Sequence, residues 1–155
     1  MQMRILVDGD ALPTDVKLIL FRAAERTRIH LCLVANKALK VPPSEFLSSV
    51  IVPLGADIAD HWIVEQAESG DLVVTADIPL ASRAVDKGCI ALDPRGQLYT
   101  PANVKERLAM RNLMDELRGA SVIQGGGPPP FTKKDSQKFA SQLNAYLCKQ
   151  SGRLI

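Results

Sequence analysis

The chain has 155 residues, which is the length of one ordinary globular domain. Hydrophobic residues make up 46% and charged residues 23% of it, a balance that excludes the disordered and fibrous classes of protein. No apolar run approaches the roughly 18 residues that a membrane-spanning helix needs, and the first residues lack the basic and apolar regions of a secretory signal. We therefore expect a single cytoplasmic domain over residues 1–155, with no membrane partner.

Five short apolar segments predict the strands of a sheet. They lie at residues 4–7, 29–35, 50–53, 72–75 and 89–92. The segments between them carry helix start and stop signals, and they predict helices at 13–26, within 41–50, at 55–70 and at 79–88. Because strands alternate with helices, we expect βαβ crossovers and a mostly parallel sheet with helices on both faces, which is a three-layer α/β/α fold.

The pattern becomes helical after residue 100. Apolar spacing predicts one helix over 101–117 and a terminal helix anchored by Phe139, Leu143 and Leu147. Residues 101–155 carry 9 Lys and Arg against 4 Asp and Glu, a net charge of +5, whereas residues 1–100 carry 10 against 13, a net charge of −3. We expect 101–155 to be a basic, helical C-terminal extension of the same domain, suited to a polyanion or simply to a solvated surface.

Aspartates follow three of the predicted strands. Asp8 and Asp10 come directly after the first strand and Asp77 directly after the fourth. Asp57 and Asp60 open the helix after the third strand, and their spacing of three residues puts both on one helical face. Because ligands of an open parallel sheet bind outside the carboxyl ends of its strands, we expect these five carboxylates to meet at one edge.

Such a cluster predicts a divalent cation. Two carboxylates about 4 Å apart repel each other by about 4 kcal/mol at an effective dielectric constant near 20, so several of them need a counter-charge or protonation. Magnesium and manganese prefer carboxylate and water oxygens, and they support phosphoryl chemistry with water as the nucleophile. The sequence therefore favours an enzyme that hydrolyses phosphodiester bonds with Mg or Mn as its cofactor.

Each aspartate also has a structural alternative. Asp57 could be only a helix N-cap, which is worth about 1 kcal/mol. Asp77 could cap the following helix, and Asp8 and Asp10 could be ordinary turn residues. The convergence of three chain segments, and not any single residue, is what indicates a site.

Three basic residues are candidates for contact with the phosphate backbone of a nucleic acid. Lys133 and Lys134 lie at the end of the Gly- and Pro-rich segment 124–135, and Arg95 lies in the turn after the last predicted strand. Cations near phosphates position a polynucleotide without reading its sequence. The alternative is an ordinary surface loop.

The motifs that carry these residues resemble the bacterial YaiI/YqxD family, which is similar to PIN-like nuclease domains. The resemblance covers nearly the whole chain and rests on VDGDALP (7–13), GADIADHWI (55–63), GDLVVTADIPLASRAVDKG (70–88), DPRGQLYT (93–100) and GGGPPPFTKKD (125–135). It implies a PIN-like fold and an acidic pocket that binds Mg or Mn for RNA cleavage, carried here by the five aspartates. This chain has Gly9 and Leu12 where the family pattern has Ala and Cys, and Asp93 where that pattern has Asn. Asp93 is therefore not carried over as a ligand.

Two other functions compete with a metal-dependent ribonuclease. The first is a non-catalytic, PIN-like module that binds RNA or a protein, because a fold does not guarantee an activity. The second is a haloacid-dehalogenase-like phosphatase, with Asp8 as the nucleophile and Asp10 as the acid. Leu12 stands where the motif of that superfamily has Thr, which weakens the phosphatase hypothesis.

Overall fold

The structure is a computed structural model that describes residues 3–10, 12–55, 57–120 and 129–152. Within these ranges the chain forms, in order, β1 (Ile5–Asp8), α1 (Thr14–Thr27), β2 (Leu31–Ala35), β3 (Leu47–Ile51), α2 (Ile58–Gln66), β4 (Leu72–Val74), α3 (Ile78–Asp86), β5 (Ile90–Leu92), β6 (Leu98–Tyr99), α4 (Val104–Gly119) and α5 (Lys133–Gly152). No helix in these ranges is both long enough and apolar enough to cross a membrane.

The strands form one sheet in the order β3-β2-β1-β4-β5-β6. The first five run parallel to their neighbours, and β6 pairs with β5 in the antiparallel sense. The central strands β1 and β4 are buried on both faces, as the continuous apolar runs ILV and LVV require. The predicted mostly parallel sheet is confirmed.

Helices cover both faces of this sheet. On one face, alternate residues of β1 such as Ile5 and Val7 pack with Leu20 of α1 and with Phe139 and Leu143 of α5. The three residues that were expected to anchor the terminal helix, Phe139, Leu143 and Leu147, are all buried there. The basic C-terminal segment therefore contributes directly to the main core.

The opposite face is covered by α2 and α3. Leu6 of β1 and Val73 of β4 pack there with Ile63 of α2 and Leu80 of α3. Helix α4 lies outside α3, and Val104 at its start is fully buried against α3 and Tyr99. The three-layer α/β/α arrangement follows from these two sets of contacts.

A crevice separates the carboxyl ends of β1 and β4. The helix that follows β1 lies on one face of the sheet, whereas the helix that follows β4 lies on the other. Since the chain leaves these adjacent strands in opposite directions, no connection formed by the described residues covers the gap between them. This reversal point is where open α/β sheets bind ligands.

The region 41–53 differs from the sequence prediction. We expected a short helix within 41–50 and a strand at 50–53, but residues 41–46 are not helical and β3 begins at Leu47. Pro42 and Pro43 have no N–H to donate and restrict the residue before them to extended conformations, which disfavours a helix. The start of this strand was not predicted because Ser48 and Ser49 are polar, and polar residues occur there because β3 is a half-exposed edge strand. The two-residue β6 was not predicted.

Helix α2 ends at Gln66, four residues earlier than expected. Two side chains from outside the helix bind its last carbonyls. Arg4 donates to the carbonyl of Gln66 at 2.7 Å, and Lys87 donates to the carbonyl of Glu65 at 3.1 Å. Cations are favourable at a helix C-terminus, where free carbonyls carry negative partial charge. Arg4 is itself held by Asp71, with an N–O distance of 3.1 Å.

Candidate functional site

Asp8 and Asp77 lie on the two sides of the crevice between β1 and β4, and Thr75 links them. The hydroxyl of Thr75 donates to Oδ2 of Asp8 at 2.9 Å and accepts from the backbone N–H of Asp77 at 3.0 Å. Thr75 is fully buried. One threonine therefore fixes the positions of both acidic residues.

Asp77 has the structural role that its sequence position allowed. It is the N-cap of α3, and its Oδ1 accepts from the backbone N–H of Leu80 at 3.1 Å. The same side chain lines an open cavity of about 390 Å³ together with Asp8. Asp77 can both cap α3 and line the crevice, because the cap uses only one of its two carboxylate oxygens.

Helix α2 brings Asp60 to this pair. Burial raises the pKa of the Asp60 carboxyl to about 6, and the negative charges of Asp77, Asp8 and Asp57 add to the increase. Burial also raises the pKa of Asp8, with smaller increases from Asp77 and Asp10 and an opposing effect of the Thr75 hydrogen bond. Carboxyls perturb one another in this way only at short range, so Asp8, Asp60 and Asp77 form one electrostatic group, which we call the acidic crevice.

Asp57 lies at the edge of the acidic crevice. It is exposed and precedes α2 with φ of 62°, a left-handed conformation that is uncommon for a residue other than glycine. Its side chain makes no capping hydrogen bond to α2. The simple N-cap alternative therefore does not describe its side chain.

Asp10 is directed toward β2. Both of its carboxylate oxygens accept the backbone N–H of Asn36 at 3.1 Å. This bond ties the loop after β1 to the end of the neighbouring strand. A haloacid-dehalogenase-like phosphatase would use Asp10 as its acid, with one oxygen directed at the substrate beside Asp8. Here both oxygens of Asp10 accept the N–H of Asn36 instead.

The five carboxylates do not form a finished cage for a metal ion. Among the residues that the structure describes, no group of three or more His, Cys, Asp or Glu side chains is arranged to hold a metal. The donors of the acidic crevice nevertheless fit a small hard cation, because Mg²⁺ commonly keeps several waters and is held by one or two carboxylates together with substrate phosphates. Burial and the neighbouring carboxylates disfavour the charged form of Asp60, and a bound cation would offset that cost.

Two arginines that the sequence did not single out flank the acidic crevice. Arg111 of α4 lines the same cavity as Asp8 and Asp77. Arg83 of α3 approaches Asp60 closely enough to lower its pKa, and one of its terminal nitrogens lies 3.0 Å from Nδ1 of His61. No local pattern marks either arginine, because only the packing of α2, α3 and α4 brings them to the crevice. Thr75 had a local signal, since it is a polar residue at the carboxyl end of a buried strand.

None of the three basic candidates lines the cavity that Asp8 and Asp77 share. Lys133 and Lys134 are exposed at the first turn of α5. Arg95 is largely engaged inside the protein, because its guanidinium pairs with Asp135 at 3.0 Å and lies over the ring of Phe131, with 5.6 Å between its Cζ and the ring centroid. Arg95 thus connects the β5–β6 turn to the start of α5.

Comparison with known proteins identifies relatives along nearly the whole chain. The chain matches the family described as "Uncharacterized BCR, YaiI/YqxD family" over residues 6–149. It is 54% identical to the UPF0178 protein YaiI of Escherichia coli O81 over 147 residues, which cover 95% of this chain and 96% of that protein. It is 53% identical to a UPF0178 protein of Burkholderia cenocepacia over 151 residues, which cover 97% of this chain and 100% of that protein.

A UPF0178 protein of Pectobacterium atrosepticum is similarly close, with 54% identity over 145 residues that cover 94% of this chain and 96% of the relative. No solved structure matches the chain significantly. The matched range includes every strand except the first residue of β1 and contains all the residues of the acidic crevice. The chain belongs to the YaiI/YqxD family.

Proposed function

We propose that this protein is a divalent-metal-dependent nuclease that hydrolyses phosphodiester bonds in RNA. The observation that carries the proposal is the acidic crevice, in which Asp8, Asp60 and Asp77 come from three separate elements. Asp8 and Asp77 line one cavity, and their negative charges add to the burial that raises the pKa of Asp60. The acidic crevice lies at the reversal point of the sheet, where this class of fold binds ligands. The resemblance of the sequence motifs to PIN-like nuclease domains supports the same function.

The protein's own groups have distinct roles in this proposal. Asp8 is oriented by Thr75, and Asp77 by its cap on α3; each bond engages one carboxylate oxygen, and both residues line the cavity. Asp60 of α2 adds a third carboxylate, close enough to Asp77 and Asp8 for their charges to raise its pKa. A bound Mg²⁺ or Mn²⁺ would offset their charge, polarise a phosphoryl oxygen and lower the pKa of the attacking water.

The two flanking arginines would bind the phosphate. Arg111 lies on the cavity wall, and its only ion pair among the described residues is a surface contact with Asp115, at 3.3 Å between Nε and Oδ2. Both side chains of that pair are nearly half exposed, and such pairs contribute little free energy. A phosphate could therefore displace Asp115, and the guanidinium would then stabilise negative charge that develops on the phosphoryl oxygens.

The test is cleavage of a labelled single-stranded RNA in Mn²⁺. We expect Asp8→Asn to abolish cleavage, because one carboxylate of the crevice is lost without a change in shape. The matched control is Asp86→Asn, which removes an exposed carboxylate from the far end of α3. Full activity of Asp8→Asn alongside an unchanged thermal unfolding curve would contradict the proposal.

The second candidate is a non-catalytic RNA-binding module of the same fold. The absence of a preformed three-ligand metal group among the described residues favours it. This function predicts RNA binding that survives EDTA, with no cleavage in Mg²⁺, Mn²⁺ or any other divalent ion. Cleavage that depends on both Mn²⁺ and Asp8 would exclude it.

A further inference from the structure

A second cavity, of about 330 Å³, opens at the same edge of the sheet, beside the turn that joins β5 to β6. Its walls include Asp93 and Gln97 from that turn, Tyr99 from β6, Arg107 from α4 and Lys138 from α5. We call it the β5–β6 cavity. Arg95, one of the three basic candidates for nucleic-acid contact, also lines it.

The β5–β6 cavity is a neighbour of the acidic crevice. Strand β5 is paired with β4, and the N–H of Thr75 donates to the carbonyl of Leu92 at 3.1 Å, so the carboxyl ends of the two strands adjoin. Helix α4 runs past both sites, with Arg107 on the wall of one cavity and Arg111 on the wall of the other. Residues four apart lie on one face of a helix, about 6 Å apart along its axis.

The charges of the β5–β6 cavity favour an anion. Arg95 is already paired with Asp135, and Oδ1 of Asp93 accepts the backbone N–H groups of Arg95 and Gln97, at 2.9 and 3.0 Å. In contrast, the side chains of Arg107 and Lys138 form no hydrogen bond or ion pair within the described part of the chain, and both are exposed. Arg107 is near enough to Asp93, and Lys138 to Asp135, for each cation to favour the charged carboxylate, so the three cations of the lining exceed its two carboxylates by one positive charge.

Tyr99 adds a neutral donor to the same wall. Burial raises the pKa of its hydroxyl to about 12, with a further increase from the negative charge of Asp93. The hydroxyl therefore keeps its proton at physiological pH. A protonated phenol and two cations are the kind of groups that bind phosphate oxygens.

We propose that a single-stranded polynucleotide lies along α4, with one phosphate beside Arg111 at the acidic crevice and another phosphate between Arg107 and Lys138 in the β5–β6 cavity. This inference rests on the proposed nuclease function and names the form of its substrate. A single strand fits because Asp8 is partly buried between two strand ends, and a flexible backbone can bend into such a recess. The substrate would be an oligonucleotide, since a nucleoside monophosphate carries only one phosphate and the two sites bind two.

The experiment measures binding of fluorescein-labelled single-stranded oligonucleotides by anisotropy over a range of KCl concentrations, in EDTA and in Mg²⁺. The test protein carries Arg107→Gln and Lys138→Gln. The control protein carries Arg22→Gln and Lys149→Gln, which remove the same charge from exposed positions of α1 and α5. RNA and DNA of the same sequence form separate arms, and gel analysis verifies that the RNA stays intact.

We expect the test protein to bind several-fold more weakly than the control. Its plot of log affinity against log salt should be shallower by about 0.7, because one phosphate contact to a single strand is lost. Weaker binding in the RNA arm, the DNA arm or both supports the path along α4 and identifies the sugar that it accepts. Affinity and slope equal to those of the control would overturn the inference, as would tighter binding of duplex than of single strand by the unaltered protein.

This outcome is separable from the fate of the nuclease proposal. If cleavage depends on Asp8 while the test protein binds like the control, the path along α4 is wrong and the nuclease function stands. If Asp8→Asn cleaves normally while Arg107→Gln with Lys138→Gln weakens binding, the assignment of the acidic crevice fails and the binding path stands.

Discussion

Without a divalent cation, the acidic crevice should make the protein less stable as the pH rises through about 6. The perturbation that isolates this effect is Asp60→Asn, because Asp60 has the pKa raised from 3.8 to about 6. A carboxyl whose pKa is raised in the folded state favours folding when it is protonated. Its contribution is complete below the unfolded pKa near 4 and is lost as the pH rises through the folded pKa.

The size of the effect follows from the pKa increase. A shift from 3.8 to about 6 would correspond to roughly 3 kcal/mol for a fully buried group, at 1.36 kcal/mol per pH unit. Asp60 is only partly buried, so solvent screening reduces the expected gain of Asp60→Asn at pH 8 to about 1–2 kcal/mol. For a chain of this length that gain is a melting temperature higher by about 2–8 °C.

The assay is thermal unfolding followed by circular dichroism in EDTA at several pH values from 4 to 8. The informative quantity is the difference in melting temperature between Asp60→Asn and the unaltered protein, since other carboxyls titrate in both. We expect that difference to be positive at pH 8 and to vanish near pH 4. Asp86→Asn serves as the control, because its carboxylate pairs with Lys105 on the surface.

Magnesium should reverse the difference. At a free concentration of 100 times its dissociation constant, an ion that binds only the folded state adds about 2.7 kcal/mol, and Asp60→Asn should lose most of that gain. A variant that is no more stable than the unaltered protein at pH 8 in EDTA would refute the reasoning. So would equal stabilisation of the two proteins by Mg²⁺.

Three further substitutions test the supports of the site. Thr75→Val should cost about 1–3 kcal/mol in urea unfolding, because the N–H of Asp77 and an oxygen of Asp8 lose a buried partner; an unchanged midpoint would show that water replaces the hydroxyl. Phe139→Ala should cost about 3–5 kcal/mol by the same measurement, since the ring is fully buried in the main core; a loss below about 1 kcal/mol would mean that α5 is dispensable. Gly96→Ala should lower the melting temperature, because Gly96 has φ of 92° and an added Cβ would lie 2.9 Å from the carbonyl oxygen of Lys138 in α5; a melting temperature equal to that of the unaltered protein would contradict this.

The fold was largely predictable because its central strands are continuous apolar runs. Segments such as 72–74 have one structural solution in an α/β chain, a strand buried on both faces. Prediction failed at the edges of the sheet, where β3 exposes Ser48 and Ser49 and β6 has two residues. An edge strand buries one side only, so its local sequence carries less of the information that fixes it.

The site was predictable to the extent that its residues follow strands. Asp8 and Asp77 were found because the carboxyl ends of adjacent parallel strands must lie together. Asp10 follows the same strand as Asp8, but one backbone N–H at the end of β2 holds both of its oxygens. Arg83 and Arg111 were missed because their positions depend on how three helices pack, and no spacing within a single helix encodes that.

The hydrogen bonds around the acidic crevice leave its oxygens unequally used. Thr75 occupies one oxygen of Asp8 and Leu80 occupies one oxygen of Asp77, whereas the side chain of Asp60 accepts no hydrogen bond within the described residues. Carboxylates that serve only as caps or turn formers gain nothing from lying close to one another, and here the neighbouring charges add to the burial that raises the pKa of Asp60 and disfavours its charged state. Proteins orient metal-binding carboxylates through hydrogen-bond partners that hold one oxygen and leave the other open. The acidic crevice therefore combines an electrostatic cost in the free protein with an orientation that a bound cation would use.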